Sequence, residues 1–182
     1  MSGLGSLLLY CAWASGLVAA FLTIRSFEEP VTPAGPRRRV PIALAIGLIA
    51  TLWMPWVTSA NGQLTLSGWF ALDAATVVAL MLLAGGIAAV AALPDWGGER
   101  RAVHSLALSV SLFGIIAGNW LIGTAGGWGA DLQWGATASL ILAAALAAVE
   151  GVHFLHARTA TTPDDTLDLT AELGRLPNLR TF

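Results

Sequence analysis

Five apolar stretches, each within the roughly 17 to 25 residues that cross a bilayer core, dominate this chain and leave little else to fold. They run Leu4–Ile24, Val40–Val57, Ala71–Pro94, Ala102–Gly123 and Gly135–His156. The segments between them are short, so there is no room for a second globular domain. The chain is 56% hydrophobic and 11% charged, whereas a soluble domain carries charge at nearly a quarter of its positions. Lipid is therefore the expected solvent for most of its surface.

Charge placement adds an orientation. All nine basic residues are arginines. Arg25 and Arg37, Arg38 and Arg39 lie in the first loop, Arg100 and Arg101 in the third, and Arg158, Arg175 and Arg180 in the tail. The second and fourth loops carry none. The positive-inside rule then predicts an outside amino terminus and a cytoplasmic carboxyl terminus. The expected fold is an all-α polytopic bundle of five transmembrane helices over residues 1–157, followed by a cytoplasmic tail over 158–182. The expected location is a bacterial cytoplasmic membrane, since the absence of lysine suits a GC-rich genome. The first stretch reads as a retained span: Met1-Ser2-Gly3 lacks the positive charge that opens a signal peptide.

The loops carry local signals. Arg25 to Arg39 contains three prolines, which forbid a continuous helix, and Arg37, Arg38 and Arg39 form an anchor for lipid headgroups. Outside the second span, alternating polar and apolar residues flank Asn61-Gly62, a strong hairpin signal; a small extracellular hairpin is expected. Trp53, Trp56, Trp69, Trp120, Trp128 and Trp134 cluster at the same predicted interface as an aromatic belt, with a platform for carbohydrate or aromatic ligands as the sharper alternative. Thr162-Pro163-Asp164-Asp165 predicts the capped start of a short amphipathic helix in the tail, closed by Gly174 and Pro177.

Close helix contacts in lipid need small residues and interhelical hydrogen bonds, because apolar surface alone gives little drive. Gly114 and Gly118 form a GxxxG motif, with Ala107 and Ser111 on the same face. Ser139, Ala143, Ala147 and Gly151 form a ladder at intervals of four, and Gly85 and Ala89 offer a third small face. These spacings predict helix contacts centred on the last three spans.

Chemistry points to one place. Glu150 is the one acidic residue well inside a predicted span, about 9 Å from its cytoplasmic end at 1.5 Å per residue, where charge is expensive and a partner is expected. His153 follows one turn later and His156 one turn after that, while His104 enters the fourth span at a comparable depth. Two readings remain open: structural hydrogen bonding, or a proton-active or metal site, including haem ligation by His104 and His153. A diiron centre needs more glutamates than the chain supplies. Asp73, Asn119 and Asp131 read as solvated groups at outer span ends, with a polar vestibule as the alternative.

No nucleotide-binding, metalloprotease or hydrolase motif occurs, the single Cys11 excludes an intrachain disulfide, and a net charge of -2 with no basic stripe gives no case for nucleic acid. The expected role is a non-catalytic accessory or scaffold subunit, without a cofactor, partnered by other membrane subunits or by copies of itself. A small transporter, or a protein handling protons, metal or haem, is the alternative.

Overall fold

The computed structural model describes residues 2–26, 39–92, 98–125 and 130–161. Its helices are α1 (Ser2–Ser26), α2 (Arg39–Ala50), the single turn α3 (Gly68–Ala71), α4 (Ala74–Ala92), α5 (Gly98–Thr124) and α6 (Trp134–Thr161). Strands β1 (Pro55–Ser59), β2 (Thr65–Ser67) and β3 (Ala130–Leu132) form one antiparallel sheet in the order β2-β1-β3. Four helices are long and apolar enough to cross a membrane, covering Gly3–Ile24, Ala74–Ala92, Arg101–Thr124 and Trp134–Thr159. The remaining apolar helix, Arg39–Trp53, is shorter. Arg37, Arg38, Trp128 and the expected tail helix lie outside the described residues.

The second apolar stretch departs from the expected Val40–Val57 helix. It runs as α2, tightens into a 3₁₀ turn over Thr51–Trp53 and then becomes β1. The cause is Pro55, which disfavours helical geometry in the residue before it: Met54 is extended, at φ -80° and ψ 160°. The third stretch is also divided. Ala71 closes α3, and α4 begins only after Leu72 and Asp73.

The sheet adds a β element to an otherwise helical chain. β1 and β2 join through a turn in which Gly62 takes φ +70° and donates its N–H to the Ser59 carbonyl at 2.7 Å. Asn61 Oδ1 accepts from Ser59 Oγ at 2.6 Å and from the Gln63 N–H at 3.2 Å. β3, only three residues long, pairs Val57 with Leu132 and Ser59 with Ala130. So short a strand carries too few alternating residues to give a sequence signal.

Trp56 corrects its assignment to the aromatic belt. It is 2% exposed, donates its indole N–H to the Thr51 carbonyl at 2.8 Å, and sits between two glycines. A Cβ at Gly68 would lie 2.8 Å from Trp56 Nε1, and one at Gly135 would lie 3.0 Å from Trp56 Cδ1. The indole thus fastens the sheet to the starts of α3 and α6. Trp53 and Trp134 are exposed, and Trp53 meets Trp69 edge to face at 5.1 Å between ring centroids. Trp120 is half-buried.

α5 is the central helix: 61% of its spanning window is buried, against 22% for α1 and for α6. It packs against α1, α4 and α6. The expectation that contacts centre on the last three spans fails here, because the most extensive helix pair is α1 with α5. Gly114 and Gly118 face Ala12 and Leu9 of α1. Along α1, Gly5, Ala12, Gly16, Ala19 and Thr23 are buried, and with Leu9 they form a stripe at alternating intervals of four and three, one face of a helix. Ser15 Oγ and Ser111 Oγ lie 3.0 Å apart across this seam, a bond worth about 1 kcal/mol in lipid. The expected Gly85 and Ala89 face is exposed, and a Cβ at Gly85 would meet nothing within 4 Å. Gly86 instead turns towards Leu108, at 3.7 Å from its would-be Cβ.

A test follows from the closest contact. A Cβ at Gly114 would sit 2.6 Å from Ala12 Cβ, so Gly114→Ala should cost about 1–3 kcal/mol of stability by overpacking. Adding Ala12→Gly should recover much of that loss, and Gly85→Ala should be neutral. Thermal stability of the four proteins in detergent checks this.

Candidate functional site

The ionisable candidates fall at two ends of the bundle. β1 and β3 join the two arginine-free loops, and Gly5 near the start of α1 packs against Leu121 and Ile122 near the end of α5. The start of α1 therefore shares an end with the sheet. Arg25, Arg39, Arg101 and Arg158 lie in the opposite end turns of their helices.

At the arginine end, α6 carries the expected carboxylate. Its buried line is Ala136, Ser139, Ala143, Leu146 and Glu150, again at alternating intervals of three and four. Ser139 and Ala143 of the predicted ladder are fully buried, while Ala147 and Gly151 are half-buried beside this line. Glu150 is 0% exposed, so a carboxyl group occupies a core position otherwise held by small or apolar side chains. His153 Nδ1 lies 3.6 Å from Glu150 Oε2, and the imidazole is 30% exposed. This separation suits an ion pair and exceeds hydrogen-bond length. Together they join a buried acid to a base that reaches the surface.

The other two histidines are placed differently. His156 is exposed, and its backbone carbonyl accepts from Thr159 Oγ1 at 3.0 Å. His104 is half-buried on α5. A Cβ at Gly151 would lie 4.0 Å from Leu106 Cδ1, so α5 and α6 meet at this level and His104 stands within about one turn of it. Among the described residues, no group of three or more His, Cys, Asp or Glu side chains is placed to hold a metal ion. A metal ion here would need donors from elsewhere.

Arg101 is the residue that sequence reasoning missed. Its sequence position places it among the topology-setting arginines, yet it is 3% exposed and donates from its guanidinium to the Ala91 carbonyl at 3.0 Å. Ala91 lies in the last turn of α4, where unsatisfied carbonyls and the helix dipole favour a cation. Its place directly after a loop gave no hint of burial.

At the sheet end, Asp73 caps α4. Thr76 donates its backbone N–H to Asp73 Oδ1 at 2.9 Å and its hydroxyl to Oδ2 at 2.6 Å. The Thr76 hydroxyl is the main cause holding the Asp73 carboxyl below its ordinary range. Asn119 donates to the Ile115 carbonyl of its own helix at 2.9 Å, and Asp131 is exposed on β3. The three belong to different elements, the α4 cap, α5 and β3. An open cleft of about 350 Å³ lies between the sheet and α3, lined by Val57, Ser59, Leu64, Leu66, Phe70, Ala71 and Ala130. A second, apolar groove of about 90 Å³ runs between α1 and α4 over Ile115. Comparison with protein-family models, with curated proteins and with solved structures finds no match to this chain.

Removing the cap by Asp73→Ala should lower stability by about 1 kcal/mol. Because folding lowers this carboxyl's pKa, its contribution is complete above the unfolded value of about 3.9. It is lost as pH falls through the folded value. Denaturation of wild type and Asp73→Ala between neutral and acid pH should therefore converge at the acid end.

Proposed function

We propose that this chain is a five-span accessory or scaffold subunit of a bacterial cytoplasmic membrane, with its amino terminus and sheet outside and its arginines in the cytoplasm. The carrying observation is how five of its buried, uncharged polar side chains are bonded. Thr23, Ser109, Ser111, Asn119 and Ser139 each donate to a carbonyl of their own helix three or four residues back. Between them Leu108, Leu112, Ile115, Ile116 and Leu146 close the core. Side chains satisfied within their own helices do not line a polar route, and this supports a structural role over a permease.

α1 and α6 add to that reading. Each leaves most of its spanning window unburied, with Leu7, Leu17, Phe21 and Ile24 exposed on α1 and Ile141, Val152 and Leu155 on α6. These faces suit lipid and neighbouring membrane helices. Arg39–Trp53 completes the fifth crossing: 15 residues at 1.5 Å each give about 22 Å, and Trp53 and the adjoining sheet extend it into the headgroup region.

A second reading rests on Glu150 and His153: a small transporter, or a protein that handles protons, metal or haem. Metal analysis and an absorption spectrum of the purified protein separate haem and metal from a cofactor-free site.

Topology and role have separate tests. With Cys11→Ser as background, a cysteine at Asn61 should react with an impermeant reagent added to intact cells, while one at Thr159 should react only after the membrane is opened; the reverse pattern would invert the bundle. Purification in mild detergent from native membranes should yield a second membrane protein in fixed proportion. Recovery of only a homo-oligomer would count against the accessory role.

A further inference from the structure

Arg101 and Glu150 are the two charged side chains among the buried residues described, at 3% and 0% exposure. They sit on the two helices that meet where Gly151 faces Leu106. At 1.5 Å per residue, Arg101 lies about 8 Å along α5 from Leu106. A leucine on a helix leans towards the amino-terminal turn, which brings the Gly151 contact nearer to Arg101 than Leu106's own Cα. Arg101 continues the buried line of α5 through Ser105, Leu108 and Leu112, as Glu150 continues that of α6 through Ala143 and Leu146, so both charged side chains extend from core-facing lines. A buried charge in a bilayer is costly alone, and removing one member of a buried pair leaves the other uncompensated.

We infer that Arg101 is the counter-charge of Glu150 across the α5–α6 seam, and that the pair forms a latch closing the arginine end of the bundle. This goes beyond the accessory role and does not depend on it. The guanidinium has five donors. One of them already reaches the Ala91 carbonyl, so the same side chain ties the end of α4 to α5 and, through Glu150, to α6. His153 Nδ1 lies 3.6 Å from the carboxylate; on α5, Glu99 and Arg100 immediately precede Arg101, and His104 follows it by about one turn. Arg39, at the start of α2, is exposed. Charge thereby closes α4, α5 and α6 at the end opposite to Trp56 and the sheet.

The test is a double-mutant cycle on the full chain in lipid-like detergent, comparing Arg101→Gln, Glu150→Gln and the double variant. Each single change should lower the temperature at which the protein loses its monodisperse peak by several degrees, and the double variant should regain at least half of the summed loss. Should a single variant fail to accumulate in membranes, accumulation itself becomes the readout, and the double variant should restore it. Additive losses, a Glu150→Gln protein as stable as wild type, or a double variant that also fails to accumulate would each overturn the latch. The charge swap Arg101→Glu with Glu150→Arg should recover more stability than either half alone; failure to do so would also overturn it.

Discussion

Close approach of helix backbones is the constraint from which this bundle follows. In lipid an exposed leucine loses nothing by staying exposed, so helices associate where small residues allow dense packing and a few hydrogen bonds. α5 meets that condition on several sides. Gly114 and Gly118 admit α1, Leu108 receives α4 at Gly86, and Leu106 meets α6 at Gly151. α1 is held chiefly by this one seam, and its outward leucines and aromatics remain free for lipid.

The sheet solves a different problem. Loops at a membrane surface must satisfy their own backbone groups, and pairing β1 with both β2 and β3 does so while joining two loops distant in sequence. Trp56 makes the sheet part of the core, since its ring is clamped between Gly68 and Gly135 and its N–H is satisfied by Thr51. A tryptophan near a span end usually marks an interface; here, the proline one residue earlier turns the chain back so that the same ring points inward.

Much was legible in the sequence where one residue type has one physical meaning. Length and apolarity give the long helices, Asn61-Gly62 a turn, and Glu150 with His153 a meeting of acid and base on one helix. What was not legible depends on which partner a face meets. Gly114 and Gly118 signal close contact without saying with what. The alternating small residues of α1 went unread because glycine and alanine recur throughout a chain of this composition. Gly85 and Ala89 show the converse, since small residues spaced for packing lie on an exposed face. Arg101 shows the same limit for charge: nothing local separates an arginine at a membrane surface from one folded back over a helix end.

The account depends most on α1 being docked against α5 as part of the bundle. Ser15 and Ser111, whose hydroxyls are 3.0 Å apart, give the direct measurement: both are changed to cysteine in a Cys11→Ser background, and disulfide formation is followed in native membranes under mild oxidant. The account predicts rapid cross-linking within one chain, absent from either single-cysteine control. Cross-links only between chains, or none while the protein remains folded, would contradict it.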